Sequence, residues 1–332
     1  MELAKDLIAD IRRLDEHSPP TPRRWPHCAT RRHQLRDVVG IRAFLAARLL
    51  GRAGPGVFNV ITGYGSVVGD RLSARDRDRM TRVGERVRFR STTGPTLAGR
   101  VDLPQRELRG WGVFAHGFTL GKDSPAANRI CKQLASEGIG MLRFDNLGLG
   151  DSQGDWGDGS FSNKVADTVR AVEFMNGSGR EVRLLVGHSF GGAAVIAAAH
   201  ECETVAAVVS IGAPYDPAHV EHNYDALVQR IEADGEAPFL IGGKALTLKR
   251  HFIEDVRAAD LRERIRTLRR ALLVMHAPTD NTVGIANASE IFRTARHPRS
   301  FVSLEGADHL LTGKNQAARA ARIISAWADP YL

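Results

Sequence analysis

The stretch Glu181 to His200, EVRLLVGHSFGGAAVIAAAH, constrains this chain most. Val182 to Val186 is a short apolar run suited to a buried strand. Gly187-His188-Ser189-Phe190-Gly191 follows and fits G-x-S-x-G, with Gly192 just beyond. The run Ala193 to Ala199 comes next, rich in the best helix former. Strand, sharp turn and helix in that order are the setting in which a serine hydroxyl is raised above a sheet edge. Glycines on both sides let strand and helix approach closely. The helix N-terminus behind the serine favours developing negative charge. The five-residue pattern is weak by itself, because a glycine-rich turn with a helix-capping serine reads the same; its flanks give it weight.

The rest of the chain alternates in the same way. Strands are predicted over 85–91 and 96–103, joined by a turn at Gly94-Pro95, then over 111–115, 139–144, 205–211, 272–275 and 301–304. Helices are predicted over 126–137, 163–175, 285–296 and 316–327. Such alternation argues an α/β class with a mostly parallel sheet covered on both faces. One insert, about 213–270, interrupts it. It holds helical patterns around 220–233, 251–259 and 261–268, and a small hairpin over 239–248 around Gly242-Gly243. An insert of this length at the C-terminal edge of a strand suggests a lid.

Charge separates the chain into two parts. Of the net +8, residues 1–80 carry +6, from 15 Lys/Arg and 9 Asp/Glu. That segment is broken by Pro19, Pro20, Pro22 and Pro26 and has too little apolar pattern for its own core. It is expected to be a poorly ordered basic extension; a basic arm for a membrane surface, nucleic acid or a partner is the functional alternative. Residues 81–332 are close to neutral, so the main domain gives no case for nucleic-acid binding. No apolar run approaches a membrane span, and the charged N-terminus is no secretory signal. Cys28, Cys131 and Cys202 lie too far apart for a zinc site or a disulfide framework, so a cytoplasmic location is expected.

A serine hydroxyl needs a base to take its proton, normally a histidine oriented by a carboxylate. Ser189 is followed by Asp280 after one predicted strand and by His309 after the next. Open α/β sheets place their sites at such strand ends. Taken singly, Asp280 also reads as a helix N-cap and His309 as a surface histidine; order and placement together favour the triad. Asp308 and Glu305 are rival acids but lie too near His309 in sequence to orient it. The backbone N–H after the nucleophile, that of Phe190, is one candidate oxyanion donor, and the Phe118 N–H in His116-Gly117-Phe118 is the other. His116 could serve as a base, but its place before a glycine turn favours a structural hydrogen bond.

HGF, DNLGLGDS, GHSFGG, HAPTDNTVG and GADHLL resemble the α/β-hydrolase superfamily and together cover about residues 83–332. AHGFTLGKDSPAANRI, LRFDNLGLGDSQGDW and IGAPYDPAHV look more narrowly like the hydrolase module often fused to an OsmC-like peroxide-handling domain. The resemblance implies a serine-hydrolase fold with a small lid, Ser189 as nucleophile, Asp280 as acid, His309 as base, and Phe118 and Phe190 as oxyanion donors. The early loop of that family usually reads HCFTC; here it is His116-Gly117-Phe118-Thr119-Leu120, without the cysteines. The sequence ends just past its last predicted helix, so the OsmC-like domain is expected to be absent, leaving a separate OsmC-like protein as a candidate partner.

The expectation is an α/β-hydrolase fold acting on a small-molecule carboxylic ester, thioester or related acyl compound, with no cofactor and no metal. Peptide or C–C bond hydrolysis on the same triad, or a non-catalytic binding module, are the alternatives. Halide release is disfavoured by serine rather than aspartate at the nucleophile position.

Overall fold

The computed structural model describes residues 84–332, so the extension expected over residues 1–80 lies outside the described residues. Ten strands and eight α-helices are described. Eight strands form one sheet: β1 (Glu85–Arg90), β2 (Thr96–Asp102), β3 (Gly110–Ala115), β4 (Ile139–Phe144), β5 (Val182–His188), β6 (Ala207–Ile211), β9 (Ala271–His276) and β10 (Arg299–Ser303), in the order β1-β2-β4-β3-β5-β6-β9-β10. The first two pair antiparallel, and β2 meets β4 antiparallel. From β4 to β10 every pairing is parallel. All parallel strands therefore end on one edge, which is where the site lies.

Both faces of the sheet are buried, as the two-residue period of a strand requires when helices cover both sides. On one face Phe114, Met141, Leu184, Val186, Val209 and Leu273 form a cluster with α1 (Pro125–Ser136) and α8 (Gln316–Ala328). The alternate residues Val113, Leu142, Leu185, Val208 and Leu272 are fully buried too. Among the remaining helices, α2 (Phe161–Gly177) packs on α3 (Phe190–Ala198), and α3 on α6 (Leu261–Arg266). Helix α2 starts where the Ser160 hydroxyl accepts the Asn163 N–H at 3.0 Å, a side-chain cap. Helix α3 is apolar on every side and wholly buried, as its alanine-rich sequence dictates.

The insert departs from its sequence pattern in one respect. The continuous helix expected over 220–233 is two 3₁₀ segments, Pro217–Asn223 and Asp225–Leu227, followed by α4 (Val228–Asp234). Asp216, Asn223 and Asp225 bond to nearby backbone groups, the local competition that breaks helices at such residues. The expected hairpin is present as β7 (Glu236–Ile241) and β8 (Lys244–Lys249), turning at Gly242 and Gly243, both at positive φ. Helices α5 (Arg250–Ala258) and α6 follow, and α7 (Ala286–Thr294) lies between β9 and β10. Among the described residues no helix is long and apolar enough to cross a membrane.

Candidate active site

Ser189 sits between β5 and α3 with φ 54° and ψ −126°, a backbone conformation that non-glycine residues rarely adopt. The neighbouring glycines permit the crossing that forces it. A Cβ on Gly187 would lie 2.2 Å from the Gly191 carbonyl oxygen, and one on Gly191 would lie 2.2 Å from the Ala115 carbonyl oxygen. Larger residues there would push α3 off the sheet. The Ser189 N–H is tied to the Ile211 carbonyl at 2.8 Å, which seats the turn on β6.

The three residues singled out in the sequence converge on this turn. His309 Nε2 lies 3.0 Å from Ser189 Oγ, and His309 Nδ1 lies 2.7 Å from Asp280 Oδ2. A carboxylate only accepts, so Nδ1 carries the proton and Nε2 is free to receive the serine proton. The other Asp280 oxygen accepts the Thr282 and Val283 N–H groups, each at 2.9 Å. Burial would raise the Asp280 pKa, but the hydrogen bond from His309 and the backbone donors outweigh it and hold the carboxyl below its ordinary value. The expected rivals are occupied elsewhere: Asp308 accepts from the Thr312 and Gly313 backbone, and Glu305 accepts from the Ser303 hydroxyl.

Two further buried histidines support the triad. His188 donates from Nε2 to the His309 backbone carbonyl at 2.7 Å, fixing the loop that carries His309. Burial lowers its pKa to about 4, so it is neutral. His276 donates to the Val283 carbonyl at 2.7 Å, bracing the turn that carries Asp280. Sequence inspection had no signal for either role, since both side chains are defined by partners distant in the chain or across a turn.

The donors expected for an oxyanion flank the same hydroxyl. Phe190 is the first residue of α3, so its N–H has no partner within the helix. The Phe118 N–H has no acceptor among the described residues. Gly117 packs against Ser189: a Cβ there would come within 3.4 Å of the serine Cβ. His116 is fully buried and structural, as expected. Its Nδ1–H donates to the Gly117 carbonyl at 2.7 Å, and its Nε2 accepts the Asn146 N–H at 3.2 Å. Burial, with the nearby Lys164 charge, keeps it neutral. Lys244, at the start of β8, donates to the Thr119 carbonyl at 2.6 Å and ties the insert to this loop.

A cavity of about 280 Å³ opens over Ser189 and His309. Its walls are Phe118, Leu120, Phe190, Val220, Ile241 and Val283, with His219, His222 and Asn223 also facing it and, among the described residues, no Asp, Glu, Lys or Arg. The insert therefore supplies one wall through its 3₁₀ segment and its hairpin turn. Phe252 and Ile253, apolar positions in the helical pattern over 251–259, do not line this cavity. They are buried, and the Phe252 ring lies 5.4 Å from Phe118 in a cluster with Trp156, Phe190, Tyr224 and Phe239. A larger groove of about 540 Å³, lined by Arg86, Arg88, Arg100 and Lys122, holds none of these groups. Among the described residues no group of three or more His, Cys, Asp or Glu is placed to hold a metal ion.

The chain is 41% identical to the esterase domain of a Rhodothermus marinus protein, covering 75% of this chain and 98% of that one at a TM-score of 0.61. It belongs to the α/β-hydrolase superfamily. The family model of the S33 serine aminopeptidases matches residues 106–234 of this hydrolase. Its fold is shared at lower identity by Est1E from Butyrivibrio proteoclasticus with ferulic acid bound, at 17% identity, 74% and 98% coverage and a TM-score of 0.61. A putative hydrolase from Agrobacterium vitis is similar at 20% identity, 74% and 99% coverage and a TM-score of 0.62. No curated protein matches its sequence significantly.

Proposed function

We propose that this α/β hydrolase is a serine esterase that forms an acyl-enzyme on Ser189. The observation that carries this reading is the unbroken relay Asp280–His309–Ser189 at the floor of a largely apolar cavity. His309 takes the serine proton as Oγ attacks the ester carbonyl, and Asp280 stabilises the imidazolium that forms. The Phe118 and Phe190 N–H groups receive the oxyanion. His309 returns the proton to the leaving alcohol, a bond to the acyl group having passed from that alcohol to Ser189. Water, activated by the same histidine, then releases the acid.

Esters are favoured over peptides by the lining. An aminopeptidase must hold a substrate ammonium, and among the described residues no carboxylate faces the cavity. A cytoplasmic site of action and a separate OsmC-like partner belong to the same reading; they rest on motif resemblance and on the buried free thiols of Cys131 and Cys202. The test is labelling with a fluorophosphonate probe alongside hydrolysis of uncharged p-nitrophenyl esters. Wild type is expected to be labelled at Ser189 and to turn over the esters, and S189A to do neither. Labelling without turnover of any uncharged ester would overturn the esterase reading and favour peptide or C–C bond hydrolysis on the same triad; no labelling at Ser189 would favour a binding module.

A further inference from the structure

Lys164 is 5% exposed and makes no ion pair within 4 Å among the described residues. Its ammonium instead donates to a neutral amide, Asn146 Oδ1. Only the oxygen of that amide can face an ammonium, which fixes the orientation of the Asn146 side chain. The Asp167 carboxylate, one turn further along the helix, attracts the ammonium electrostatically without forming an ion pair, and burial still outweighs that attraction; the triad mechanism makes no use of the lysine. Helix α2 carries Lys164 beside a cavity of about 30 Å³, whose walls include Asn146, Phe118 and Phe190. The lysine thus shares this cavity with the two residues whose N–H groups are the candidate oxyanion donors.

A chain of hydrogen bonds leads from it to one of them. The ammonium holds the Asn146 side chain, and the Asn146 backbone N–H donates to His116 Nε2. That bond fixes the tautomer, so His116 Nδ1–H donates to the Gly117 carbonyl. The Gly117 carbonyl and the Phe118 N–H belong to the same peptide group, which is trans and planar. Holding the carbonyl on one side aims the N–H to the opposite side, and polarising the carbonyl strengthens the N–H as a donor.

We propose that Lys164 is a positioning residue for the oxyanion site, acting through Asn146 and His116 to fix the Gly117–Phe118 peptide plane. The proposal rests on the assignment of the Phe118 N–H as an oxyanion donor. Its effect falls on the transition state, where the negative oxygen is fully formed, and little on the ground-state ester.

The experiment compares wild type with K164M and N146A. K164M is expected to lower kcat roughly 10–100-fold, less than or similar to loss of a whole donor, with KM changed by no more than about twofold. Affinity for a trifluoromethyl ketone, whose adduct carries the oxyanion, is expected to fall by the same factor as kcat. The melting temperature of K164M is expected to hold or rise, since a buried ammonium is replaced by an apolar chain of similar volume. N146A should reproduce the kcat loss, and the double variant should be little worse, because the residues act in series. Unchanged kcat in K164M or N146A, or a loss tracked by a lower melting temperature and a higher KM, would overturn the positioning role. If wild type itself is not labelled at Ser189, the esterase reading fails; if it is labelled and K164M has wild-type kcat, only the Lys164 proposal fails.

Discussion

Ser189 is held at positive φ, a strain on the order of 1–3 kcal/mol that the surrounding turn must supply. The return on that strain is a hydroxyl pointing away from its own helix and at His309. In the proposed mechanism each partner in the relay depends on the next, so the losses should not add. S189A and H309A are each expected to lower kcat by roughly 10⁴–10⁶, and the double variant to be little worse than either. Single-turnover and steady-state rates on one p-nitrophenyl ester decide it; near-additive losses would mean the two residues do not share a mechanism. The weak partners matter at this scale as well. His188 and His276 touch no substrate, yet each bonds a backbone carbonyl in the loop that carries His309 or Asp280.

At the level of elements, the insert divides its labour. Its α5 helix is an anchor: Phe252 is buried among Phe118, Trp156, Phe190, Tyr224 and Phe239, so it joins insert to core. Its 3₁₀ segment and hairpin turn present Val220 and Ile241 to the cavity. Truncation of Phe252 to Ala should therefore cost about 3–5 kcal/mol of stability and leave the preferred acyl length where it was. Enlarging Val220 to Phe should do the reverse. Each CH₂ that no longer fits forfeits about 0.8 kcal/mol, or roughly fourfold in kcat/KM. Profiles of kcat/KM against acyl length, with thermal melts of both variants, check this. An unchanged profile in V220F would remove the insert from the specificity of the enzyme.

The whole molecule carries its buried titratable groups as a pH-dependent load. Burial lowers the pKa of His116, His188 and His276, His188 to about 4. The unfolded chain takes up a proton at each of them below about 6.5, and the folded chain resists it. Stability should therefore fall as pH drops from about 6.5 towards 4, by up to about 1.4 kcal/mol per pH unit for each histidine. Lys164, brought down to about 7 by burial, acts with the same sign in the window from about 10.5 to 7. Asp280 has a depressed pKa, so its stabilisation is lost only when pH falls through the carboxylate range and below. The melting temperature should thus fall gently as pH is lowered from 9 to 7, where Lys164 acts, and more steeply below about 6.5, where the three histidines add to it. Thermal melts from pH 9 to pH 4 at constant ionic strength measure it, and a flat curve between pH 7 and pH 5 would contradict the buried neutral histidines.

Much of this hydrolase was legible in its residues because the signals were local. Periodicity of two and of 3.6 marked the strands and helices, G-x-S-x-G with its flanks marked the turn at Ser189, and strand ends marked Asp280 and His309. Neighbours in sequence produce those patterns, so they survive without a fold. The aspects left to tertiary structure are the ones that depend on residues far apart meeting. The break in the helix expected over 220–233 came from side chains bonding to nearby backbone groups, a competition that apolar spacing does not register. The inward turn of Phe252 depended on a cluster drawn from five separate segments. Lys164 lies within an ordinary helical pattern, and only the packing of α2 against the loops after β3 and β4 buried it beside Phe118 and Phe190. Sequence determined which groups were available and in what order; long-range burial and hydrogen bonding decided which of them face the cavity, which are neutral, and which hold the others in place.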